Sequence, residues 1–430
     1  MARFKRLTFG LFVLGAPFFA GAQEPVLFST LLGTVTVGDT QWQRLDLQPH
    51  IRSGAFEAVL DLEVFVDEQG RFRNLGWDFS SKRKGLESIF RKIHYIRWGR
   101  PNDPDRPIYF RLGALESVTL GSGMIMRRYR NTQDAPGMKR TGLDFQIQGL
   151  AGGLFSFRGV VNDLLDLDGG GPVVGGRMVY YPTGRLALGT TVVVDTDQLR
   201  ALPDSIRTGF GRDAYGIAGV DMVYPLLDSV DLYGGIARTL TDSLSGTGFS
   251  GPGVRIRVGG LTVQVEYRWV DGLYQSGHFD ALYELNRAGL DPATGGVRTR
   301  EDALVDVSMQ GVFGDLKCEL GGLLDAEGSY QYLRGNEREE QILEGRVALK
   351  PGVLEQLQKV YLAEAFFEKR HRGFRGLFDG SLDTRFGYRI GVEPMERLRV
   401  IWEVEFTYEP DGAGGFQRRR TFNLQSGITW

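Results

Sequence analysis

The sequence has one cysteine, four histidines and only a small net charge, of −2. Cys318 alone excludes a disulfide framework. The histidines are scattered, without the spacing of a metal site, and no G-x-S-x-G nucleophile elbow is present. Lys and Arg number 51 against 53 Asp and Glu, so no basic excess marks a nucleic-acid-binding protein. We therefore predict no enzyme activity, no cofactor, no metal site and no nucleic-acid partner.

Long hydrophobic runs are also missing after the N-terminal segment. Three basic residues precede the apolar stretch 7–19, and Ala20-Gly21-Ala22 has the small-x-small form of a signal peptidase site. No later stretch approaches the roughly 18 apolar residues of a membrane helix. We predict that residues 1–22 are a cleaved signal peptide and that residues 23–430 form a single domain outside the cytoplasm.

In place of such runs, apolar and polar residues alternate with a period of two, which is typical of β-strands. The clearest alternation covers 261–270, 383–392 and 398–408. These lengths match the roughly 9–11 residues of a strand that crosses a bilayer, whereas strands of soluble proteins average roughly 5–6 residues. The 60 glycines, about twice the usual share, fit turns and bends in a curved sheet.

Short and long links alternate between the predicted strands. Short turns such as Gly259-Gly260 and Gly314-Asp315 separate long polar stretches such as 239–252, 271–301 and 326–340. Long links on one side only are typical of outer-membrane barrels and have no reason to occur in a β-sandwich. The fold class predicted is all-β: a transmembrane antiparallel up-and-down β-barrel of about 18 strands, within a range of about 16–20.

Residues 23–105 are the hardest part of this barrel to interpret. A strand fits 55–66, and 83–98 fits either a short amphipathic helix or a further strand. Residues 106–130 alternate as two strands punctuated by glycine. A basic cluster at their external end either attracts anionic solutes or lipopolysaccharide phosphates, or is simply a solvated flank. The cluster consists of Arg127, Arg128 and Arg130, with Lys139 and Arg140 across the loop.

The chain ends in an alternating strand with a terminal aromatic residue. One face of this strand carries Phe422, Leu424, Ile428 and Trp430. The pattern resembles the C-terminal signal of bacterial outer-membrane β-barrel proteins, including porins, although Gln425 stands where that family often has Gly. The resemblance implies a location in the outer membrane of a Gram-negative bacterium and assembly by the barrel-assembly machinery. It also implies contact with outer-membrane lipid and lipopolysaccharide, and it leaves a homo-oligomer open.

Charged residues of both signs fall on the polar faces of the predicted strands, where we expect them to line a pore. Opposed acidic and basic rows tune ion preference in such pores. The alternative is that a polar lumen needs solvated groups of either sign and no more. The candidates are Glu266, Arg268, Asp306, Arg346, Asp383, Arg385, Arg389, Glu403 and Glu405.

The link 271–301 is the candidate constriction of that pore. Its middle is helical in pattern, and Asp280, Glu284 and Arg287 follow one another at i, i+4 and i+7, which predicts a solvated helix face. The link either folds into the lumen or packs on the outer rim.

Three functions remain compatible with the sequence. The first is passive diffusion of small hydrophilic solutes, including ion transport, through a porin-like channel. The second is a closed structural or surface-binding barrel that acts through its long external loops. The third is a carrier of hydrophobic compounds, against which the charged inward faces argue. An open or a filled lumen distinguishes the first from the second.

Overall fold

A computed structural model describes most of the chain. The described residues are 27–37, 40–66, 72–73, 77–132, 140–166, 171–202, 204–207, 210–241, 244–291, 295–336, 338–357, 359–371, 379–381, 383–396, 398–410 and 415–428. The predicted signal peptide and the terminal Trp430 lie outside them.

Within these ranges the chain consists of strands joined by links that carry a few short helices. The strands are β1 (Leu27–Val37), β2 (Thr40–Ser53), β3 (Phe56–Leu60), β4 (Leu62–Val66), β5 (Phe72–Arg73), β6 (Ile93–Trp98), β7 (Ile108–Gly113), β8 (Gly142–Gly149), β9 (Phe155–Val161), β10 (Val173–Tyr180), β11 (Ala187–Asp195), β12 (Tyr215–Leu227), β13 (Val230–Thr239), β14 (Gly246–Val258), β15 (Leu261–Gly272), β16 (Ala288–Leu290), β17 (Val297–Thr299), β18 (Met309–Leu320), β19 (Leu324–Arg334), β20 (Glu339–Leu349), β21 (Val360–His371), β22 (Thr384–Met395), β23 (Leu398–Pro410) and β24 (Phe416–Ile428). The helices are α1 (Lys82–Phe90), α2 (Leu150–Gly153), α3 (Asp204–Arg207), α4 (Tyr283–Asn286) and α5 (Pro351–Leu354). No described helix is long and apolar enough to cross a bilayer.

The strands pair antiparallel in chain order and form an up-and-down barrel. One sheet contains 22 of them, and β16 pairs only with β17. β3 and β4 share one position beside β2, and β5 and β6 share the next, so the sheet has 20 strand positions. β24 also pairs with β1, through Ser426 and Leu32. The even number at the upper end of the predicted range agrees with chain termini on the same side.

Side chains alternate between an apolar outer surface and a polar interior. In β15, Val265 and Tyr267 are exposed, whereas the adjacent Glu266 and Arg268 are buried. In β22, Tyr388 and Ile390 are likewise exposed, and the flanking Gly387 and Gly391 are buried. The alternation predicted from the sequence is therefore confirmed, since a strand of period two puts its apolar residues on one face of the sheet.

The two ends of the barrel carry different links. At the short-turn end, the links 228–229 and 259–260 are two residues long. At the opposite, long-link end, the chain between β7 and β8 runs from 114 to 141, and the chain between β15 and β18 runs from 273 to 308.

Two predicted long loops are shorter than expected. The stretch 326–340 is mostly β19, and only 335–338 link it to β20. The loop expected at 239–252 is reduced to 240–245 because β14 begins at Gly246. Polar residues that face the lumen alternate within these strands, and the sequence pattern alone made them look like loop.

The turn predicted at Gly314-Asp315 is wrong, because both residues lie inside β18. The chain turns at 321–323 instead, where Gly321 and Gly322 have φ values of 51° and 77°. Backbone in the left-handed region favours glycine, so this pair is the true turn signal.

The region before β8 also differs from expectation. Residues 83–98 supply both alternatives, since α1 is followed directly by β6. Of the two strands expected in 106–130, only β7 exists, and the chain then leaves the wall and turns inward. This inward segment is the first part of the site described below.

Candidate functional site

Two links from the long-link end fold into the barrel and meet there. Inner link 1 comprises residues 114–132, inner link 2 comprises the described residues of 273–308, and together they are called the plug. The Arg127 N–H donates to the Phe279 carbonyl at 2.9 Å, and the Phe279 N–H donates to the Ile125 carbonyl at 3.1 Å. Met126 and Phe279, which face each other in this pairing, are 0% exposed. The candidate constriction therefore lies in the lumen, and a second link that was not predicted lies beside it.

The centre of the plug is an apolar core. The Phe279 and Tyr283 rings lie 4.8 Å apart between centroids, and Tyr129 lies 6.3 Å from Tyr283. The barrel wall contributes inward apolar residues, which are Val160, Val193, Ile217, Val270 and Leu333. Each large side chain buried in this way stabilises the seated plug by roughly 1.5–3 kcal/mol. At this level the lumen is filled.

Charged residues of inner link 2 lie inside this core. Glu284 accepts hydrogen bonds from the Tyr129 hydroxyl, the Arg140 guanidinium and, at 2.9 Å, the Asn162 amide. Burial acts to raise the pKa of Glu284, but Arg140 and Arg287 outweigh it, so the pKa lies below its ordinary value. As an anion, the carboxylate therefore connects inner link 1 and inner link 2 to residues just before β8 and just after β9.

Arg287 anchors the same link to the wall at the top of β11. Its guanidinium donates to both carboxylate oxygens of Asp195, each at 2.6 Å, and the Tyr283 hydroxyl donates to the same carboxylate at 2.6 Å. Arg287 is 1% exposed and Asp195 is 0% exposed. Bidentate pairs of this kind are among the strongest hydrogen bonds in proteins.

Asp280 makes a third anchor. It accepts two hydrogen bonds from Arg300, at 2.9 and 2.6 Å, and one from Arg370 of β21 at 3.3 Å. Burial acts to raise the pKa of Asp280, but the two guanidiniums lower it by more, so the pKa lies below its ordinary value. Nearby, the Asn286 amide donates to Asp383 at 2.9 Å.

The prediction of a solvated helix face in the constriction is therefore wrong. Asp280, Glu284 and Arg287 are 8%, 3% and 1% exposed, and only Tyr283–Asn286 is helical. The spacing i, i+4, i+7 places charged residues on one side of a helix. It does not indicate whether that side faces water or oppositely charged groups of the barrel wall. In this barrel the wall supplies the partners.

Inner link 1 is latched by the arginine cluster that the sequence placed at the external end. Arg127 donates to Glu344 at 2.8 Å and to Asp315 at 2.7 Å, and Arg128 reaches the same two carboxylates at 3.4 and 3.2 Å. Arg130 lies 3.0 Å from Glu368. The partners are on β18, β20 and β21, so the external placement is corrected: these arginines lie inside the barrel. Lys139 lies outside the described residues.

The predicted pore-lining residues fall into two groups. Glu266 and Arg268 are paired at 2.5 Å under the plug and are 1% and 2% exposed. Arg268 also lies over the Phe313 ring at 3.7 Å and donates to Gln331 at 2.5 Å. Asp383 is half-buried just before β22 and accepts a hydrogen bond from Asn286 of the plug, so it also lies beside the plug. These residues seal the lumen rather than line an open passage.

The second group lies nearer the short-turn end and is more exposed to solvent. Arg389 donates to Glu364 at 2.9 Å and its side chain is 37% exposed. Arg346 contacts Glu364 at 2.7 Å with 51% of its side chain exposed, and Glu403 is 29% exposed. This region, the vestibule, is a two-signed polar wall. Arg385 and Glu405, which pair at 2.7 and 2.8 Å, lie instead at the long-link ends of β22 and β23, beside the plug, and the Arg385 side chain is only 14% exposed.

Asp306 is the exception among the predicted residues. It lies in the link before β18 rather than on a strand, and it is exposed. Asp306 was expected on the polar face of a strand, but β18 begins only at Met309, so that placement is wrong.

Between the plug and the vestibule lies a small polar cavity. It is bordered by Arg127, Arg268, Asp280, Glu344 and Arg370. The space that the centre of a water molecule can occupy in it is about 10 Å³. That is room for about one water, so this cavity is not a solute pathway in the closed arrangement. In the described ranges, no group of three or more His, Cys, Asp and Glu side chains is arranged to hold a metal ion.

The predicted assembly signal lies on a strand, as expected. β24 pairs with β23 along its whole length, from Phe416 to Ile428. Phe422 is 46% exposed and Leu424 is half-buried. Trp430 and the side chain of Ile428 lie outside what the structure describes, so the signal itself stays a prediction.

Comparison with known proteins returns barrels of the class that the sequence resembles. No family model and no curated protein matches. Among solved structures, the chain resembles Wzi, an Escherichia coli outer-membrane protein involved in group 1 capsule assembly and described as a carbohydrate-binding β-barrel, with 11% identity over 94% of this chain and 84% of that one and a TM-score of 0.33. Pseudomonas aeruginosa OpdK, an outer-membrane protein, matches at 12% identity, 94% and 98% coverage and a TM-score of 0.33. A BenF-like porin from Pseudomonas fluorescens Pf-5 matches at 11% identity, 94% and 96% coverage and a TM-score of 0.34. At these TM-scores the likeness adds nothing to what the strand pairing shows.

Proposed function

We propose that this protein is a porin-like barrel of the bacterial outer membrane that passes small hydrophilic solutes by diffusion, through a passage that the plug constricts. The membrane location is supported by the apolar outer surface and by exposed aromatics near its edges. Tyr180 and Tyr224 lie towards the short-turn end and are 38% and 39% exposed, while Trp269 and Tyr408 lie towards the long-link end. Aromatic girdles at both interfaces are typical of membrane barrels.

The observation that carries the channel proposal is the vestibule. Its inward residues form opposite-charge pairs that remain partly exposed, although a barrel with only a structural role would need no solvated interior. Water and small solutes can occupy such a wall at little cost, because the ion pairs are screened and the polar atoms keep solvent contact. The opposed charges would favour small polar solutes over apolar ones.

The plug would set the size limit of this passage. Apart from backbone hydrogen bonds near their ends, such as those of Ala114 with His94 and of Val307 with Gly272, both inner links contact the wall through side chains. A shift of the middle of either link would therefore open space without breaking the barrel ladder. The pairs of Arg127 and Arg128 with Asp315 and Glu344 form a latch at the border of the vestibule. Release of this latch is the smallest movement that would widen the passage.

A second candidate function rests on the apolar core of the plug. Met126, Tyr129, Phe279 and Tyr283 are 0% exposed, which is the packing of a permanently closed interior. A barrel of this kind would act through its external links, as a structural or surface-binding protein. The two candidates differ in whether the plug moves.

Single-channel conductance in a planar bilayer tests the proposal. We would refold residues 23–430, a variant lacking 275–295, and the double variant Arg127→Gln/Arg128→Gln, and check each for heat-modifiable folding. We expect small or rare conductance steps in the unchanged chain and larger or more frequent steps in both variants. The matched control, Arg418→Gln/Arg419→Gln, removes the same charge from an exposed stretch of β24 and should behave as the unchanged chain. Folded variants that stay silent would contradict the channel and favour the closed barrel.

A further inference from the structure

The barrel wall has a notch where β4 meets β6. β6 pairs with β3 from Phe56 to Leu60, but beyond that point only Phe65 and Val66 of β4 meet a strand, the two-residue β5. Among the described residues, no strand pairs with residues 61–64 on this side. β6 and β7 are also only 6 residues long, compared with 12 in β15. In a membrane such an edge must be covered, because lipid cannot satisfy backbone polar groups.

Residues 77–92, called the cover segment, lie over this notch and include α1. At its start, the Trp77 indole donates to the Glu63 carbonyl at 2.8 Å. At its end, the Asp61 N–H donates to the Lys92 carbonyl at 2.7 Å. Both contacts satisfy backbone polar groups of residues 61–64, along the edge that no described strand pairs.

The same segment reaches the strands on the far side of the notch. The Thr141 hydroxyl donates to the Phe90 carbonyl at 3.4 Å, just before β8 begins. The Arg91 guanidinium lies 3.9 Å from the Asp163 carboxylate, just after β9 ends. The cover segment therefore bridges the wall from β4 across the tops of β6 and β7.

The two faces of α1 differ in a way that helices on soluble proteins rarely show. The small residues Gly85 and Ser88 are buried. Phe79, Leu86 and Ile89 are 64%, 58% and 54% exposed. Leu86 and Ile89 are three positions apart and thus share one side of the helix. The helix turns its small face to the protein and its apolar face outward.

The cover segment is also basic in a chain that is slightly acidic. It contains five basic residues, at 82, 83, 84, 91 and 92, against acidic residues at 78 and 87, whereas the whole chain has a net charge of −2. Lys82, Arg83 and Lys84 occupy the first turn of α1, where positive charge opposes the helix dipole. Helix stability therefore does not explain them. An apolar face beside a basic edge is the composition of a helix that binds a membrane interface.

We propose that α1 is a binding surface for an anionic, phosphate-bearing lipid of the leaflet at the long-link end. Its acyl chain would lie against Phe79, Leu86 and Ile89, and its phosphate would contact the first turn of α1. Glu87 and Asp78 partly neutralise Arg83 and Lys84, which they contact at 3.2 and 2.9 Å, so the binding charge is less than three. The proposal rests on the membrane location proposed above and not on conduction.

Native mass spectrometry of the refolded chain in a zwitterionic detergent tests this proposal. Phosphatidylglycerol and phosphatidylcholine with identical acyl chains are the two probes. We expect phosphatidylglycerol to be retained at least about fivefold more, the factor for one charge near an anionic surface. Lys82→Gln/Arg83→Gln/Lys84→Gln should remove this preference, and Leu86→Ser/Ile89→Ser should weaken retention of both lipids equally.

The matched control is Arg418→Gln/Arg419→Gln/Arg420→Gln, which removes three consecutive exposed arginines from β24. It should retain the preference. Equal retention of the two lipids by the unchanged chain, or an equal loss in the control, would overturn the proposal for α1. Heat-modifiable folding and insertion into vesicles, measured on the same samples, report on the membrane location separately. A chain that folds and inserts but shows no lipid preference contradicts only the lipid site.

Discussion

The two halves of the barrel interior contain the same kind of ion pair, an arginine with a carboxylate, in different surroundings. At the long-link end, Arg287 is 1% exposed and holds Asp195 at 2.6 Å. In the vestibule, the Arg346 side chain is 51% exposed and contacts Glu364 at 2.7 Å. The distances are nearly equal, but the surroundings differ. Each ion of a buried (dry) pair has lost its hydration and depends on the opposite charge, whereas the ions of a solvated (wet) pair keep contact with water. The stability of the closed plug therefore resides in the long-link half, and the vestibule provides solvated surface.

The largest expected effect comes from removing one partner of the dry pair. Arg287→Ala leaves the Asp195 carboxylate buried with only the Tyr283 hydroxyl as a described side-chain donor. An uncompensated buried charge costs about 3–5 kcal/mol, so inner link 2 should leave its seat. We expect rapid proteolytic cleavage within 273–308 in the refolded barrel and more frequent conductance steps.

Arg346→Ala is the matched control for that variant, since it removes the same side chain from the vestibule. Its pair is half in water and should contribute about 1 kcal/mol or less. Equal protease sensitivity of the two variants would show that the two halves of the interior do not differ in the way described.

A smaller effect is expected from Tyr129→Phe. This change removes one donor from the buried Glu284 but leaves Arg140 and Asn162 in place, so the cost should be about 1–3 kcal/mol. Tyr332→Phe removes a hydroxyl that donates to Glu339 at 3.2 Å in a partly buried site and should cost less. Proteolysis rates of the plug in the two variants measure the difference. Equal rates would show that the hydroxyl of Tyr129 does not hold the two inner links together.

The sequence predicts the wall better than the plug. β15, β22 and β23 could be predicted because period-two alternation is local, and each residue carries its own signal for the inner or outer face. Inner link 1 was missed because its partners are remote: Arg127 and Glu344 are 217 residues apart. The spacing of charged residues along a link does not depend on whether the link faces water or the barrel wall. The burial of Asp280 therefore could not be predicted from that spacing.

The pH dependence of closure offers a finer test. Burial and the nearby Asp213 raise the pKa of Glu301 in inner link 2 to about 8, and Gln198 donates to this carboxyl at 2.5 Å. Burial together with Asp302 also raises the pKa of Asp213. A seated plug therefore holds a proton that a released plug would give up near the ordinary value of 4.5.

This linkage sets the sign of the effect. The contribution of Glu301 to closure is complete below about pH 4.5 and is lost above about pH 8. Between these values the equilibrium constant for closure decreases by at most about tenfold per pH unit. Burial and then Arg300 and Arg370 hold the pKa of His278 well below its ordinary value of 6.5. A released plug would let this imidazole take up a proton below about pH 6.5, so His278 opposes the Glu301 trend there and leaves it unopposed only above that pH. Channel opening should increase from about pH 6.5 to about pH 8 in the unchanged chain and much less in Glu301→Gln. The same pH response in both chains would rule out this carboxyl as the cause.

The smallest effect on closure is expected in the vestibule, and there it should appear as selectivity. Arg389 lies between Glu364 at 2.9 Å and Glu403 at 3.8 Å, with 37% of its side chain exposed. Arg389→Gln removes one positive charge from a solvated wall, so it should change stability by about 1 kcal/mol or less and leave the protease sensitivity of the plug unchanged. Because the remaining carboxylates then lack their shared cation, the reversal potential in a salt gradient should shift towards cation preference. The Arg418→Gln variant removes the same charge from β24 and should leave the reversal potential where it was. A shift in plug sensitivity without a shift in reversal potential would place Arg389 with the closure contacts, and the division of the interior into a dry and a wet half would have to be redrawn.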